Sequence, residues 1–371
     1  MEITDVTTTI LHDPDGRQLQ DSTVPKLWAG GGTDIFVHIK TDEGLEGLGV
    51  GQARPPHAIR EIIERELKDL FIGEDPFNIE KLWNDMFWRM RNYARKGVAL
   101  QALSSMDIAL WDLKARALGL PLYRLLNPRY ESVPVYGSGG WTNMTEEELV
   151  EEALGFVERG IPRYKMKVGK DFGNAEREDV QRVAAVRKAV GDDVEIYVDA
   201  NMGYNVKQAI RMSHKFEDYD VRWFEEPILA DNVEGFAQIS RATQIPIATG
   251  ENEYTRHGFK ELIVHGGVDI VQPDVGRVGG VTEWMKVASL ADSFGLSIAP
   301  HGVPNVHLQL CMAIPNLKVV EYFAGGWVTV GRTGFFTEVP VPVDGMWAPF
   351  PDKPGLGFEL DPDAVKKYSV N

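Results

Sequence analysis

Eight short apolar runs, rich in β-branched and aromatic residues, recur between residues 133 and 320 and constrain the fold more than any other feature. They begin roughly 20 to 35 residues apart, and helical segments such as 146–158 and 177–190 separate them. Strands that alternate with helices in this way predict a parallel sheet, and eight such units are typical of a closed (β/α)8 barrel. The runs are residues 133–136, 164–168, 195–198, 221–224, 245–248, 270–272, 297–299 and 318–320.

An open, doubly wound sheet is the alternative that the same alternation allows. Such a sheet usually has fewer strands, and a glycine-rich phosphate-binding turn follows its first strand. Residues 136–140 (Tyr-Gly-Ser-Gly-Gly) match that turn only loosely, and no clear helix start follows them. We therefore predict an α/β fold with a modified TIM barrel whose C-terminal face carries the chemistry.

The first 128 residues have a different pattern, typical of an α+β domain. Alternating apolar residues on both sides of a polar turn predict a hairpin over 33–50. Asp75-Pro76-Phe77 opens a helical stretch that extends to Met90, and the three- and four-residue apolar spacing of 98–118 predicts the strongest helix.

After residue 323 the chain becomes rich in glycine and proline, and we expect this segment to pack back on the N-terminal region. The barrel between the two is then the catalytic domain. The predicted organisation is an α+β capping domain over 1–128, a (β/α)8 barrel over 129–325 and a C-terminal segment over 326–371 that completes the cap.

Charge and composition exclude several classes of protein. The chain carries 39 Lys and Arg residues against 55 Asp and Glu residues, a net charge of −16, which argues against sequence-independent nucleic-acid binding. Its one cysteine, Cys311, cannot form an intrachain disulfide, so a secreted disulfide scaffold is excluded. The N-terminus has no basic segment followed by an apolar stretch, and no apolar run reaches the ~18–20 residues of a membrane helix. We expect a cytoplasmic protein that binds neither nucleic acid nor membrane.

Charged or polar side chains stand at the C-terminal ends of most of these runs. Barrel strands are buried on both faces, so an unpaired charge there costs on the order of several kcal/mol. A single carboxylate after a strand is often only a helix cap or a solvated loop residue, but that explanation fails when six consecutive strands repeat the pattern. We expect these side chains to converge on the mouth of the barrel, the C-terminal end of its strands. They are Lys165, Lys167, Asp199, Asn201, Glu225, Glu226, Glu251, Asp274, His301 and Glu321.

Three carboxylates on three successive strands predict a metal site. Asp199, Glu225 and Glu251 are separated by 26 and 26 residues, and hard oxygen ligands of this kind suit Mg²⁺ with room for water and substrate oxygens. The lack of cysteine or histidine nearby counts against zinc. Glu226 is the alternative to Glu225, because side chains alternate along a strand and only one of the two points inward.

A lysine pair and a histidine supply candidate acid–base groups. Lys165 and Lys167 lie two residues apart and therefore face the same side of the strand. We expect each ammonium to lower the pKa of the other, which would allow one of them to act as a base. Asp274 and His301 follow adjacent strands, and a carboxylate on one ring nitrogen would leave the other free for proton transfer.

These motifs together resemble the enolase superfamily, and within it the mandelate racemase subgroup, over nearly the whole chain. The lysine that is typical of the muconate-lactonising branch at the sixth strand is missing, and Asp274 stands there instead. The motifs that carry the resemblance are Glu74-Asp75-Pro76, Met106-Asp107-Ile108-Ala109-Leu110-Trp111-Asp112, Lys165-Met166-Lys167, Val198-Asp199-Ala200-Asn201, Glu225-Glu226-Pro227, Gly250-Glu251-Asn252, Gln272-Pro273-Asp274, Gly279-Gly280-Val281, Pro300-His301-Gly302 and Glu321.

The resemblance implies a role for each group at the mouth. It implies Mg²⁺ as the cofactor and selects Glu225 as the ligand rather than its neighbour. It implies Lys167 as the base on one face of a carboxylate substrate and the His301–Asp274 dyad on the other face. The family also implies a homo-oligomer.

Three further residues have supporting roles under this resemblance. Lys165 and Asn201 would contact the substrate or tune the lysine base. Glu321 would hydrogen-bond the substrate carboxylate, and it must then be protonated to stabilise the charge that develops there.

The expected reaction begins with removal of the proton next to the substrate carboxylate. Metal Lewis acidity stabilises the resulting enediolate by on the order of several kcal/mol. Expulsion of a β-hydroxyl would dehydrate the substrate, whereas reprotonation from the opposite face would racemise it. We favour dehydration of a sugar acid, an aldonate or aldarate, to a 2-keto-3-deoxy acid, by analogy with the subgroup. A racemase or epimerase of a 2-hydroxy acid is the alternative, and a non-catalytic regulatory homologue is a third reading.

Two loops are expected to set substrate specificity. They cover residues 18–32 and 51–57, and their polar content favours a polyhydroxylated acid over an aromatic one. The candidate substrate-binding residues in these loops are Gln20, Trp28, Arg54 and His57.

Overall fold

The eight predicted strands form a parallel barrel, and an α+β domain packs against it. The structure, a computed structural model, describes residues 1–14, 19–23, 32–51, 55–323 and 333–370.

The N-terminal domain is a three-stranded antiparallel sheet with helices packed against it. Its elements are β1 (Ile3–Asp13), β2 (Gly32–Thr41), β3 (Glu46–Val50), α1 (Pro56–Ile62), α2 (Ile79–Met90), α3 (Val98–Ala117) and α4 (Leu122–Leu125), with a π-helical turn over Ile63–Leu67 and a 3-10 turn over Lys68–Leu70. β2 pairs with both β1 and β3, which confirms the predicted hairpin. α2 begins later than predicted, because the Asp75 carboxylate first accepts the N–H of Phe77 (2.9 Å) and closes a turn.

The longest helix, α3, lies unusually close to β3. A Cβ atom on Gly47 would collide with the carbonyl oxygen of Ala109, and one on Gly49 with that of Ser105. Glycine at these two positions therefore permits the approach of strand and helix.

The barrel strands are β4 (Val133–Gly139), β5 (Arg163–Lys167), β6 (Glu195–Asp199), β7 (Val221–Glu225), β8 (Ile247–Thr249), β9 (Ile270–Val271), β10 (Ser297–Ile298) and β11 (Val320–Phe323). They are parallel, in the order β10, β9, β8, β7, β6, β5, β4, β11. The ring closes between β10 and β11, where the N–H of Lys318 donates to the carbonyl of Ile298 (2.8 Å) and Leu317 forms a parallel bridge with the same residue. The predicted TIM-type fold is confirmed.

Helices follow the strands around the outside of the barrel. They are α5 (Glu146–Glu158), α6 (Lys170–Gly173), α7 (Glu176–Val190), α8 (Val206–Glu217), α9 (Val233–Ala242), α10 (Thr255–Val264), α11 (Val275–Val278), α12 (Gly280–Ser293) and α13 (Pro304–Cys311). α5 begins where predicted because Thr145 and Glu148 form a reciprocal capping box. In the part of the chain that the structure describes, none of the helices combines the length and apolar character that crossing a bilayer needs.

Three aromatic side chains pack together in the interior of the barrel below the mouth. The rings of Tyr197 and Trp223 stack with centroids 3.7 Å apart, and Tyr136 meets both edge-on at 5.6 and 5.1 Å. All three residues are at most 1% exposed. We call these three residues the aromatic floor.

The cap is fastened to the barrel by polar contacts as well as apolar ones. The Asp107 carboxylate on α3 accepts the backbone N–H (2.9 Å) and the hydroxyl (2.6 Å) of Thr282 in the first turn of α12. Trp83 donates its indole N–H to the carbonyl of Gly279 (2.7 Å). Near the mouth, the Lys96 ammonium lies 3.0 Å from Glu253.

The described C-terminal residues contact both domains. They contain a 3-10 turn (Thr333–Phe335), β12 (Met346–Trp347) and α14 (Pro362–Tyr368). The N–H of Val370 donates to Ile10 in β1 (2.9 Å), and β12 pairs with the start of β4. The predicted domain boundaries after residues 128 and 325 stay predictions.

Candidate active site

Three buried carboxylates lie together at the mouth of the barrel. Asp199 ends β6, Glu225 ends β7, and Glu251 follows β8 by two residues. One oxygen from each lies within 4.8 Å of the others, and the side chains are at most 9% exposed. The three predicted ligands are therefore brought together by the folded barrel.

The electrostatics of this group fit a divalent cation. Burial and the adjacent Asp199 carboxylate raise the pKa of Glu225 to about 8, a sign of crowded negative charge. The Oε2 atom of Glu251 is buried and accepts no hydrogen bond from the described residues, and the His301 ring lies 3.4 Å away from it. A hard, all-oxygen donor set with an unused buried oxygen suits Mg²⁺.

The structure separates Glu225 from its neighbour Glu226. Glu226 adopts a left-handed backbone conformation (φ 36°), and its carboxylate accepts the side-chain amide N–H of Asn252 (2.8 and 3.1 Å). Burial and the nearby Glu251 carboxylate raise the pKa of Glu226 well above its usual value. It is Glu225 that joins the group of three carboxylates.

The two lysines of β5 are buried and bonded to these carboxylates. The Lys165 ammonium donates to Glu225 (2.6 Å) and lies 3.0 Å from Glu321. The Lys167 ammonium donates to Asp199 and lies over the ring of Trp141, 5.3 Å from its centroid. Both side chains thus face the mouth, as their spacing predicts.

The predicted direction of the lysine pKa shift is wrong. Burial opposes the charged form, but Glu225 and Glu321 outweigh it and raise the pKa of Lys165 well above its usual value. Asp199 similarly raises the pKa of Lys167, although burial and the neighbouring ammonium oppose this. Sequence reasoning counted the second ammonium but not the carboxylates that face it from the next strands.

The histidine and aspartate that follow β10 and β9 form a hydrogen-bonded dyad. The Nδ1 atom of His301 lies 2.9 Å from the Asp274 carboxylate. Burial opposes protonation of the imidazole, but Glu251 and Asp274 together raise the pKa of His301. The guanidinium of Arg277 holds the pKa of Asp274 below its usual value against the effect of burial.

The contacts of Glu321 favour its ionised form and therefore oppose the expectation that it is protonated. Its carboxylate accepts the N–H of Gly302 (2.7 Å) and pairs with Lys165. Burial alone would raise its pKa, but Lys165 and His301 hold the pKa of Glu321 far below its usual range.

The predicted substrate-binding residues have different outcomes. Asn201 lies beside the carboxylates, its N–H donating to Asp199 (2.8 Å), and its side-chain oxygen is buried without a hydrogen bond from the described residues. Gln20 is buried, but its side-chain amide donates to the carbonyl of Thr23 in its own segment. His57 is exposed on the first turn of α1. The two remaining candidates, Trp28 and Arg54, lie outside the described residues.

Sequence reasoning missed two side chains that support the site. Gln272 donates its amide N–H to Glu225 (2.8 Å). Arg277 donates to the Glu251 carbonyl (2.9 Å), and its Nε atom lies 3.3 Å from Asp274. Gln272 stands inside a motif already singled out, and Arg277 follows Asp274 by one helical turn. Their positions were visible in the sequence, whereas their contacts were not.

Comparison with known proteins agrees with this arrangement. Residues 148–364 match the family described as "Enolase C-terminal domain-like". Residues 30–127 match "Mandelate racemase / muconate lactonizing enzyme, N-terminal domain". The chain therefore belongs to the mandelate racemase/muconate-lactonising family of the enolase superfamily, and the resemblance predicted from its motifs is confirmed.

Individual relatives narrow the class of enzyme. L-talarate/galactarate dehydratase from Salmonella typhimurium is 38% identical over 339 residues, 89% of this chain and 81% of the relative. A racemase from Streptomyces coelicolor A3(2) with bound magnesium is 32% identical with a TM-score of 0.92, over 99% of this chain and 100% of that one. L-talarate dehydratase from Polaromonas sp. JS666, complexed with Mg and L-glucarate, is 34% identical with a TM-score of 0.90, over 100% and 98% of the two chains. The predictions of an enzyme of the hydro-lyase class and of Mg²⁺ as its cofactor are confirmed by these relatives.

Proposed function

We propose that this protein is a Mg²⁺-dependent dehydratase that converts a sugar acid, an aldonate or aldarate, into a 2-keto-3-deoxy acid. One observation carries the proposal: two acid–base side chains contact different members of the three-carboxylate cluster. The Lys167 ammonium contacts Asp199, and the His301 ring contacts Glu251. A substrate whose carboxylate is bound between Lys167 and His301 would have a proton-transferring group on each side.

A cation bound by the three carboxylates would polarise the substrate carboxylate and take up the negative charge that holds the lysines protonated. Lys167 then accepts the proton next to the substrate carboxylate, and that C–H electron pair becomes the enediolate. Collapse of the enediolate breaks the C–O bond at the β-carbon, and His301 donates the proton with which the hydroxyl leaves as water. Asp274 holds the ring of His301 and stabilises its charged form. The enol that remains tautomerises to the 2-keto acid.

Three further side chains would support substrate binding. Lys165 offers an ammonium to the developing negative charge, next to Glu225. Glu321, as a carboxylate, would orient Lys165 rather than donate a hydrogen bond to the substrate. Asn201 offers the unused amide oxygen to a substrate hydroxyl.

The test is a panel of hexonic, pentonic and aldaric acids, incubated with the purified protein and Mg²⁺ and assayed for 2-keto acid. Galactarate, L-talarate and arabinonate belong in the panel. We expect at least one acid to give a 2-keto-3-deoxy product, and no product from any acid would overturn the proposal.

A second candidate is a racemase or epimerase of a 2-hydroxy acid, because one group at each end of the carboxylates would allow proton removal on one face and return on the other. Incubation in D₂O separates the two reactions. Incorporation of deuterium next to the carboxylate with inversion, and without keto acid, would favour the racemase. A non-catalytic regulator would instead show Mg²⁺ affinity no tighter than background.

The proposal includes a homo-oligomeric enzyme in the cytoplasm, with a cap over 1–128, a barrel over 129–325 and a C-terminal segment over 326–371. Light scattering on the purified protein measures the subunit count, and a monomer at assay concentrations would contradict that part. Limited proteolysis that cuts near residues 128 and 325 would support the boundaries.

A further inference from the structure

His307 is a buried histidine that the proposed reaction does not use. It lies in α13, six residues after His301, and its side chain is fully buried. Its Nδ1 atom lies 2.5 Å from the carbonyl oxygen of Gly302, and its Nε2 atom lies 3.0 Å from the backbone nitrogen of Val275. The ring therefore spans the distance between two turns at the mouth of the barrel.

These two turns carry the dyad. Gly302 directly follows His301, and Val275 directly follows Asp274. The dyad hydrogen bond joins the same two turns on the mouth side (2.9 Å). The turns are thus tied twice, once by the dyad and once by the His307 ring beneath it.

The hydrogen-bond partners of His307 determine its protonation. A carbonyl oxygen only accepts, so Nδ1 must carry a hydrogen, and a backbone N–H only donates, so Nε2 must present its lone pair. The ring is therefore neutral, because a proton on Nε2 would oppose the N–H of Val275. Burial agrees with this assignment and lowers the pKa of His307 to about 4.

Further contacts hold the same region. The ring of Trp284 lies 5.9 Å from the His307 ring, and its indole N–H donates to the carbonyl of Pro273 (3.2 Å). The N–H of Gly302 donates to Glu321 (2.7 Å). Both peptide groups of Gly302 are therefore held, one by Glu321 and the other by His307.

We propose that His307 is a positioning residue, whose neutral ring holds the turns after β9 and β10 at the separation that the Asp274–His301 hydrogen bond requires. The inference rests on the proposed function, since it assigns His307 to the general acid of that reaction. A displacement of about 1 Å at such a group reduces turnover by ~10²-fold. The competing explanation is that His307 only fills space beneath the mouth.

The substitution His307→Phe distinguishes the two explanations. Phenylalanine retains a ring beside Trp284 and removes both hydrogen bonds. We expect a folded protein whose kcat falls ~10- to 100-fold, with KM changed less than ~3-fold and Mg²⁺ affinity unchanged. His265→Phe is the matched control, because His265 also bonds a carbonyl through Nδ1 (2.7 Å) but is exposed at the end of α10.

His307→Gln provides a second variant, because its amide reaches only one of the two turns. We expect the kcat of His307→Gln to lie between that of the wild type and that of His307→Phe. Wild-type kcat in a folded His307→Phe protein would overturn the proposal. So would unfolding of both variants, or a kcat loss accompanied by an equal loss of Mg²⁺ affinity, because each assigns His307 a purely structural role.

Spectroscopy tests the inference without turnover. In Mg²⁺-loaded protein labelled with ¹⁵N-histidine, we expect His307 to remain neutral with its hydrogen on Nδ1 between pH 5 and 9. In His307→Phe, the Nδ1–H resonance of His301 should shift or broaden. An Nε2–H tautomer of His307, or an unchanged His301 resonance in the variant, would overturn the proposal. If the wild type dehydrates none of the acids, the proposed function fails while this measurement still decides whether His307 positions the dyad.

Discussion

The mouth of the barrel and the aromatic floor beneath it are built on the same strands, yet they are chemically opposite. On β6, Tyr197 and Asp199 lie two residues apart and face the same way, and on β7 Trp223 and Glu225 repeat the pattern. Two residues of a strand rise only ~7 Å. The buried charges therefore rest directly on an apolar layer, which excludes water from below and strengthens the interactions between them. The difference shows why the carboxylates must be matched by lysines, by hydrogen-bond donors or by a cation.

The acid–base groups of the mouth should show the largest effect. Lys167→Ala and His301→Asn are each expected to lower turnover ~10²- to 10⁴-fold, because each removes a proton-transferring group. Turnover of the preferred acid from the panel and thermal melting measure activity and folding separately. Lys207→Ala, at an exposed position on α8, is the control. A folded variant at either position with a near-normal rate would refute the assigned role.

Truncation of a side chain in the aromatic floor should lower the stability of the protein. Trp223→Ala removes a fully buried indole and should lower the free energy of unfolding by ~3–5 kcal/mol, since a cavity remains. Urea denaturation measures this change in the free energy of unfolding. Trp88→Ala is the matched control, because Trp88 is 56% exposed and its loss should change stability by no more than ~0.5 kcal/mol. Equal effects at the two positions would show that the floor does not support the barrel.

The adjacent glutamates at the mouth should differ in their contribution to Mg²⁺ binding. Glu225→Gln should weaken Mg²⁺ binding by more than ~10²-fold, whereas Glu226→Gln, outside the group of three carboxylates, should weaken it by no more than ~10- to 10²-fold. The two variants make the same carboxyl-to-amide change one residue apart, so each is the control of the other in a calorimetric titration. The reverse order of affinities would transfer the ligand role to Glu226.

Asp107 has a buried carboxylate outside the mouth, with Thr282 as its hydrogen-bond donor and no directly bonded cation among the described residues. Burial raises its pKa to about 7, above the ~3.9 of an unfolded aspartate. Its contribution to stability is therefore fully present below pH ~3.9 and is lost as the pH rises through about 7. Between these two pKa values, Asp107 should lower the free energy of unfolding of the wild type by up to ~1.4 kcal/mol for each pH unit of increase.

Asp107→Asn should remove this pH dependence of the free energy of unfolding. Urea denaturation of the variant and the wild type between pH 4 and 8 measures the difference. Asp69→Asn, at an exposed position of the same domain, is the control. An Asp107→Asn curve parallel to that of the wild type would contradict the prediction.

Much of the fold could be predicted because its signals are local. Each barrel strand is a short apolar run between turn and helix signals, and Thr145 with Glu148 marks the start of α5 in four residues. The carboxylates could be predicted because each stands at the end of such a strand. Strand order then follows from the repeat of the βα unit.

Features that depend on contacts between distant segments could not be predicted. The orientation of Glu226 depends on Asn252, which comes from the next strand. The charge on Glu321 depends on Lys165, which lies on β5, two strands away in the barrel. Periodicity also does not show that Tyr136 meets Tyr197 and Trp223 in one layer.

The residue pattern along the chain was sufficient to establish which side chains reach the mouth, since strand ends and side-chain alternation are properties of a few neighbouring residues. Folding decided their protonation, their partners and the support beneath them, such as the ring of His307. A pKa or a hydrogen bond depends on charges and distances between segments that only the closed barrel brings together.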